Sequence, residues 1–269
     1  MQDRFKLRRI DIKSEIHPTA IIHPWAKIGQ AVRIGPFCVI GEHVELGDGC
    51  VLGPNVQIDG RTKIGNKNRF FHGATIGTEP QDLKYEGRKT FVEIGDENTF
   101  REFVTVHRGS DEGGTTQVKS HCYIMAYAHV GHDCKVGDEV ILANSVHLAG
   151  HVWVDDYASI GGMSAVHQFG AVGKYAFVGG GSRIEMDVPP FVRAAGSPLR
   201  VYGVNSVGLE RRGFSAEKRT MIKKMYNVMY RSDLNVSQVI EHLKNGDFED
   251  PERSILVDFL VTTKRGISK

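Results

Sequence analysis

The amino-acid sequence predicts an all-β solenoid, a parallel β-helix, followed by a small α-helical domain. Two observations carry this prediction. Apolar residues recur at every sixth position over two thirds of the 269-residue chain, and this period stops near Pro189, where patterns typical of helices begin. We therefore expect a β-helix over residues 1–190 and a helical domain over residues 191–269.

The six-residue period keeps one phase through three segments. Every sixth residue is apolar from Ile16 to Ile76, from Ile94 to Val106 and from Val118 to Ile184. The residue four positions after each of these is usually small or β-branched, and glycine often directly follows the apolar residue. Two inward residues separated by one outward residue form a minimal strand. Because neither a helix nor a long alternating strand repeats every six residues, we interpret the pattern as three short strands per coil of about 18 residues.

Two polar segments interrupt the repeat without changing its phase, residues 78–93 and residues 108–117. We interpret both as loops that leave the coils, and long loops on a rigid scaffold often carry function.

All four cysteines occupy the small inward position of the repeat, and they are predicted to be buried free thiols rather than disulfide or zinc ligands. They are Cys38, Cys50, Cys122 and Cys134.

Helix signals follow the end of the repeat. Ser215 is a suitable N-cap for a helix over residues 216–231, and a shorter helix fits from Val236 to Lys244. Asp250 and Pro251 are typical of an N-cap and first helical residue, which predicts a third helix that runs to about Lys264 and is closed by Gly266.

The composition excludes several classes of protein. With 41% hydrophobic and 25% charged residues, the chain has the composition of a soluble globular protein. Its formal net charge of +2 argues against a polyanion binder, and no segment has the roughly 20 apolar residues of a membrane span. Residues 1–15 are charged and lack the apolar core of a secretory signal. We therefore expect a cytoplasmic protein that binds no nucleic acid.

Positive charge is concentrated in the predicted helical domain. Residues 191–269 contain 14 Lys and Arg against 9 Asp and Glu. Such a patch suits an acidic partner, although a solvated helix face has the same appearance in a sequence. The basic residues are Arg193, Arg200, Arg211, Arg212, Lys218, Arg219, Lys223 and Lys224.

Histidines recur at intervals close to one coil. His132, the pair Gly150–His151 and the pair His167–Gln168 are spaced so that they fall on one edge of the solenoid. A neutral imidazole is a suitable general base near pH 7, and the adjacent Asp133 can orient it. The N–H of Gly150 is a candidate donor to a developing oxyanion. Since no nucleophile elbow or patterned cysteine nucleophile is present, direct transfer between two substrates is favoured.

Zinc binding is the competing use of these histidines. His129, His132 and His151 form a candidate ligand set on adjacent coils.

Four segments of the chain are distinctive in combination: AHVGHDCKVG, PQDLKYEG, FREFVTVHRG and GVNSVGLERRGFS. They resemble the acyl-carrier-protein-dependent UDP-N-acetylglucosamine O-acyltransferases of lipid A biosynthesis, and this resemblance extends over nearly the whole chain. It implies a left-handed β-helix, a homotrimer and active sites between neighbouring subunits. It also implies transfer of an (R)-3-hydroxyacyl group from the phosphopantetheine of acyl carrier protein to the 3-OH of UDP-N-acetylglucosamine, the first step of lipid A biosynthesis, without a metal or other cofactor.

The resemblance assigns roles to individual residues. His132 matches the general base, Asp133 its orienting carboxylate and Gly150 the oxyanion donor, while Gly180 falls where the family sets acyl length and suggests a long chain. The matches to substrate-binding positions are Gln81, Asp82, Lys84, His129, His151, His167, Gln168, Asn205, Arg211 and Arg212.

Two positions depart from the family pattern. Pro198 stands near a position where members often have His, and Val207 lies in a stretch where they often have Glu. Both concern the nucleotide end of the site. A 3-amino UDP-sugar therefore stays open as the acceptor. A second alternative is an acetyl-CoA-dependent sugar acetyltransferase on the same fold, although the PQDLK loop and the Arg211–Arg212 tail argue against it.

Overall fold

The computed structural model describes residues 14–269 as a three-sided parallel β-helix with a helical domain at its C-terminal end. Most strands contain two residues, and successive strands alternate among three sheets. Residues 1–13, which include most of the segment examined for a secretory signal, lie outside the described residues. Of the helices in residues 14–269, none is long and apolar enough to cross a membrane.

Sheet 1 contains eleven strands. They are β1 (Glu15–Ile16), β4 (Arg33–Ile34), β7 (Val51–Leu52), β10 (Arg69–Phe70), β13 (Thr99–Phe100), β16 (Tyr123–Ile124), β19 (Ile141–Leu142), β22 (Ser159–Ile160), β25 (Phe177–Val178), β27 (Val192–Ala195) and β28 (Arg200–Val204).

Sheet 2 contains nine strands. They are β2 (Ile21–Ile22), β5 (Val39–Ile40), β8 (Gln57–Ile58), β11 (Thr75–Thr78), β14 (Thr105–His107), β17 (His129–Val130), β20 (His147–Leu148), β23 (Ala165–Val166) and β26 (Arg183–Ile184).

Sheet 3 contains eight strands. They are β3 (Lys27–Ile28), β6 (Glu45–Leu46), β9 (Arg61–Ile64), β12 (Phe91–Ile94), β15 (Thr115–Val118), β18 (Lys135–Val136), β21 (Trp153–Val154) and β24 (Ala171–Val172).

The three edges of the solenoid are named here by the sheets they join. Edge I joins sheets 1 and 2, edge II joins sheets 2 and 3, and edge III joins sheet 3 to sheet 1 of the next coil. The loops leave edge II after β11 and after β14, and they comprise residues 79–90 and 108–114. Both are shorter than predicted, because the outer residues of the predicted segments extend the flanking strands.

The register from coil to coil explains why the repeat keeps its phase. Glu15 pairs with Arg33, 18 residues later, whereas Arg69 pairs with Thr99 across the first loop. The spacing there is 30 residues, so that loop adds two hexapeptides and every apolar residue still points inward. From Ile34 onward the apolar residues of the period, including Ile40, Ile76, Leu142 and Ile160, are buried in the core, whereas Ile16 in the first coil is exposed.

Glycine after the apolar residue serves close approach between coils. A Cβ on Gly131 would lie 2.7 Å from the carbonyl oxygen of Leu148, and one on Gly47 would lie 2.5 Å from that of Gly65. The left-handed turn position comes two residues later and is usually not glycine, with φ of +59° at both Asp133 and His151. Such a conformation costs about 1–2 kcal/mol for an L-residue, so packing between coils must hold it.

The cysteine prediction is confirmed. All four thiols are free and buried in the coil interior. The Cys134 thiol donates to the carbonyl oxygen of Ala149 at 3.0 Å, and burial raises its pKa to about 12. These groups pack as small apolar side chains.

Side-chain hydrogen bonds reinforce edge III. In six successive turns the second residue donates its N–H to a side-chain oxygen of the equivalent residue one coil later, at 2.6–3.0 Å. The acceptors are Asp48, Asn66, Asp96, Ser120, Asp138 and Asp156.

The C-terminal segment starts with strands, not with a helix. Strand β27 pairs parallel with β25 and antiparallel with β28, so sheet 1 continues past residue 190. The helices that follow are α1 (Ser206–Arg211), α2 (Ala216–Arg231), α3 (Val236–Asn245) and α4 (Glu252–Thr262).

Three of these helices match the sequence predictions closely. The Ser215 hydroxyl accepts from the N–H of Lys218 and caps α2 as expected. Helix α4 begins one residue later than predicted, because Pro251 takes the N-cap position and Asp250 instead accepts from the Ser254 hydroxyl at 2.5 Å. The hairpin and α1 were missed, since neither shows a helical or alternating period long enough to detect.

Candidate active site

Edge II brings together the two loops and the column of histidines that the sequence marked as functional. Loop 79–90 and loop 108–114 leave this edge on successive coils. The next three coils turn at the same edge through residues 131–134, 149–152 and 167–170. The register of the coils therefore places the two loops on the same edge as His132 and His151, an alignment that the sequence analysis did not predict.

His132 and Asp133 form a hydrogen-bonded pair. The Nδ1 of His132 lies 2.9 Å from the Oδ2 of Asp133, and each side chain is 12% exposed. Burial by itself raises the pKa of Asp133, but hydrogen bonds from His132 and Ser110 outweigh it and place the pKa below its ordinary value. An ionised carboxylate at this position keeps the proton on Nδ1 and leaves Nε2 as the basic nitrogen.

Ser110 is a contact of Asp133 that the sequence did not reveal. Its hydroxyl donates to Oδ2 at 2.7 Å, and its backbone N–H donates to the same oxygen at 3.0 Å. The residue lies in loop 108–114, whose spacing to Asp133 belongs to no repeat. The polar character of the loop was the available signal, and it could not single out one residue.

Gly150 is needed for the position of the His132 ring. A Cβ on Gly150 would lie 2.3 Å from the Cε1 of His132 and 2.4 Å from Nε2, so the imidazole occupies the space of the missing side chain. Within the part of the chain that the structure describes, the Gly150 N–H has no acceptor. A free N–H beside the basic nitrogen of His132 is suited to stabilise negative charge on a reacting oxygen.

Aromatic stacking continues this site along edge II. The rings of His132 and His151 are in edge-to-face contact at 5.1 Å, and His151 stacks on Phe169 at 4.7 Å. The sequence interpretation placed His167 and Gln168 in this column. They are on the same turn, but Phe169 makes the contact because its left-handed backbone directs the side chain along the edge.

A second row of imidazoles crosses sheet 2. His129 lies 5.1 Å from His107 and 6.4 Å from His147, measured between ring centroids, and its Nδ1 is 2.7 Å from the hydroxyl of Thr105. Burial lowers the pKa of His129 to about 4, and burial also lowers the pKa of His107. The sequence analysis did not identify His107 as a site residue. In the structure its Nδ1 is buried and has no partner among the described residues.

The predicted residues of loop 79–90 have different surroundings. Gln81 and Lys84 are exposed, whereas the Asp82 carboxylate accepts from the N–H of Lys84 at 2.9 Å and shapes the turn. The Arg108 guanidinium holds the loop in place, because it donates to the Tyr85 hydroxyl at 3.2 Å and to the Glu79 carboxylate at 3.1 Å.

The predicted tail residues lie on a different edge. Asn205 caps α1 and donates to the Tyr175 carbonyl at 3.0 Å, and Arg212 covers the Tyr157 ring at 4.7 Å. Tyr157 and Tyr175 belong to edge III, so sheet 3 separates these residues from His132 within one chain. A groove of about 780 Å³ lies between α1 and the outer face of sheet 1, and Asn205, Val207, Arg211 and Arg212 line it.

Gly180 lies on edge I, three coils beyond the coil of His132. Thus the predicted site residues occupy all three edges of a single chain.

A metal set on edge II differs from the one predicted. The ligand atoms of His132, Asp133 and His151 lie within 4.8 Å of one another, whereas His129 is not part of this group. The short Nδ1–Oδ2 contact between His132 and Asp133 is the geometry of a base with its orienting carboxylate.

Family models match both parts of the chain. A model described as domain 2 of UDP-N-acetylglucosamine O-acyltransferase matches residues 187–268, and a bacterial transferase hexapeptide model matches residues 26–60 and 115–150.

Curated relatives and solved structures agree with these models. An acyl-[acyl-carrier-protein]–UDP-N-acetylglucosamine O-acyltransferase from Synechocystis sp. is 50% identical over 88% of this chain and 86% of its own length. One of the same name from Gloeothece citriformis is 49% identical over 95% and 94%. The structure of LpxA from Acinetobacter baumannii superposes with a TM-score of 0.91 at 40% identity, covering 94% of this chain and 99% of that chain. These matches confirm the predicted left-handed β-helix with a small C-terminal helical domain.

The low pKa of His129 predicts a pH dependence of stability. The unfolded chain binds a proton at this histidine as the pH falls below about 6.5, whereas the folded chain does so only near pH 4. We expect stability to fall between pH 6.5 and 4, and to fall less in His129→Gln. Thermal unfolding midpoints of both proteins across this range provide the measurement. Equal pH slopes would contradict the assignment.

Proposed function

The chain belongs to the family of acyl-[acyl-carrier-protein]–UDP-N-acetylglucosamine O-acyltransferases, and from this premise we infer that it transfers an (R)-3-hydroxyacyl group from acyl carrier protein to the 3-OH of UDP-N-acetylglucosamine. This reaction is the first step of lipid A biosynthesis. The observation that carries the mechanism is the His132–Asp133 pair beside the free N–H of Gly150.

The reaction begins with removal of a proton from the sugar. The Nε2 of His132 accepts the proton of the 3-OH while the sugar oxygen forms a bond to the thioester carbonyl carbon. Asp133 holds Nδ1–H and stabilises the imidazolium that results. The low pKa of Asp133 suits this role, since the carboxylate stays ionised while His132 gains its proton.

Collapse of the intermediate completes the transfer. The Gly150 N–H stabilises the oxyanion that forms on the former carbonyl oxygen. When the carbonyl re-forms, the carbon–sulfur bond breaks, and the phosphopantetheine thiolate takes the proton from the His132 imidazolium. The products are the ester and the free carrier-protein thiol. The base is regenerated, so the chemistry requires no metal or organic cofactor beyond the phosphopantetheine of the donor.

The other predicted residues of this region are assigned to substrate binding. They lie on edge II beside His132, on the adjacent sheet 2 in the case of His129, or in loop 79–90, where they can contact the sugar nucleotide and the acyl chain. They are Gln81, Asp82, Lys84, His129, His151, His167 and Gln168.

We assign the tail residues to the site of a neighbouring subunit. Asn205, Arg211 and Arg212 lie on edge III, and sheet 3 lies between them and His132 of the same chain. Within one chain, the two halves of the site therefore face in different directions. Placing edge II of one subunit beside edge III of the next brings the two halves together.

The exposed apolar residues of edge I support a trimer with this arrangement. Phe37, Phe103, Tyr127 and Met163 are 61%, 42%, 57% and 80% exposed on this edge. An apolar stripe of this kind is typical of a subunit interface. Three copies with edge I at a common axis would bury the stripe and place sheet 2 of each copy opposite sheet 1 of the next. The cleft between them then runs from edge II inward to edge I.

Gly180 takes its role from this cleft. It lies on edge I, at the inner end, where the terminus of a long acyl chain would reach. Its own backbone φ is outside the left-handed region, so a side chain is compatible with the turn. A Cβ there would contact the Gly162 carbonyl oxygen at 3.0 Å.

The basic surface of α1 and α2 is assigned to acyl carrier protein, which is acidic. Among residues 14–269, Arg211, Lys223 and Lys224 have no acidic partner within the ion-pair distance, and all three are exposed. Lys218 and Arg219 are instead paired with Glu252 and Glu210. The unpaired cations leave positive potential beside the groove.

An acyl-transfer assay with graded 3-hydroxyacyl carrier proteins and UDP-N-acetylglucosamine tests the proposed function. We expect product with and without chelator. We expect His132→Ala to lose at least about 1,000-fold in kcat, because the general base is absent. His43→Ala, on edge II four coils away, is the control and should retain activity. Product formed only with a 3-amino UDP-sugar or only with acetyl-CoA would replace this function by one of the two alternatives. Loss of activity in the presence of chelator would favour the use of these histidines as zinc ligands.

Mixed oligomers test whether two chains form each site. His132→Ala and Arg211→Ala/Arg212→Ala chains are each expected to be weakly active alone. Random co-assembly should restore about a quarter of wild-type activity, because a site is intact where a chain with His132 precedes a chain with both arginines. Activity equal to the mean of the separate variants would place both halves in one chain.

Substitution of Gly180 tests the acyl ruler. Gly180→Met should shift the preferred donor to a shorter acyl chain, because the new side chain fills the inner end of the cleft. The measurement is kcat/KM against donor length, with the KM for UDP-N-acetylglucosamine as the control for a general defect. If kcat/KM depends on donor acyl length in the same way in Gly180→Met as in the wild type, Gly180 does not set the acyl length.

A further inference from the structure

Loop 108–114 has two buried residues, Gly109 and Ser110, and it reaches the catalytic pair through the polar one, Ser110. Ser110 is 6% exposed, whereas Asp111, Glu112 and Gly113 beside it are exposed. An exposed loop has no core to fill, so burial of one polar residue at its start calls for a specific contact. The contact is with Asp133.

The hydroxyl of Ser110 acts on the oxygen that holds His132. Oδ2 of Asp133 receives the hydroxyl at 2.7 Å, the Ser110 N–H at 3.0 Å and the His132 Nδ1 at 2.9 Å. Hydrogen bonds to an ionised group are stronger than those between neutral groups, and the directions of these three bonds fix the plane of the Asp133 carboxylate. The hydroxyl and the imidazole thus share one acceptor atom.

The loop is held firmly enough to fix Ser110. Arg88 of loop 79–90 forms an ion pair with Asp111 at 2.8 Å, and the N–H of Lys89 donates to Glu112 at 3.0 Å. Backbone hydrogen bonds from Gly113 to Lys89 and from Gly114 to Asp111 close the turn at 2.9 and 2.7 Å. The position of the hydroxyl is therefore set by both loops of edge II.

Asp133 also needs an outside support. Its backbone is in the left-handed region at φ +59°, where the side chain leaves the coil and is not packed in the core. Its backbone N–H donates to the Thr116 hydroxyl at 2.8 Å, which holds the main chain but not the carboxylate.

We propose that Ser110 is a positioning residue for the reaction, whose hydroxyl orients the Asp133 carboxylate toward the Nδ1 of His132. This inference rests on the proposed acyl transfer and adds a third member to the His132–Asp133 pair. Ser110 acts through Asp133 and does not touch the reacting atoms.

Steady-state kinetics of Ser110→Ala, Ser110→Thr and Thr115→Ala test the inference. Ser110→Ala should lower kcat about tenfold and leave both KM values within about twofold, because the backbone N–H still donates and the substrate contacts are unchanged. Ser110→Thr keeps the hydroxyl and should recover most of the activity. Thr115→Ala removes a hydroxyl from the first residue of β15, directly after the loop, where it donates to the Gly113 carbonyl, and this variant should match the wild type.

A double-mutant cycle separates positioning from loop stability. In an Asp133→Ala background, Ser110→Ala should cause no further loss, since its partner is gone. An equal tenfold loss in both backgrounds, a kcat unchanged in Ser110→Ala, or a raised KM at constant kcat would each overturn the inference. Wild-type protein without acyl transfer would instead refute the proposed function.

Discussion

Backbone hydrogen bonding between coils is the constraint on which the rest of this structure depends. Each two-residue strand is too short to be stable alone, and it persists because its N–H and C=O groups pair with the coils before and after it. This pairing fixes the spacing at 18 residues, or at 18 plus whole hexapeptides where a loop intervenes. It also holds the left-handed turns at Asp133 and His151 against their intrinsic cost.

The same constraint separates stability from chemistry. Most inward positions fill an apolar core, and the catalytic pair His132 and Asp133 consists of turn residues. Insertions at edge II do not disturb the register, and both loops leave the solenoid there. The rigid coils hold His132 over Gly150 at a distance that a side chain would forbid. The loops then add the contacts that the repeat cannot supply, such as the Ser110 hydroxyl on Asp133.

The distribution of site residues over three edges points to assembly. His132 on edge II and Arg212 on edge III face away from each other across sheet 3, and an apolar stripe lies on edge I. A triangular prism cannot turn two of its edges toward one substrate. In the proposed assembly, contact between neighbouring copies would bring the two edges together and give the acyl chain an apolar cleft that is shielded from water.

The sequence by itself determined the architecture and much of edge II. A strict period of six has one economical structural solution, and equal spacing along such a repeat translates directly into neighbours, as for His132 and His151. The helix at 216–231 was predictable because its cap and apolar face are local signals. The hairpin of β27 and β28, helix α1, and the surroundings of Ser110, His107 and Phe169 were decided by tertiary structure. Their contacts join segments whose spacing follows no period, or depend on burial and side-chain direction, and a linear pattern records neither of these.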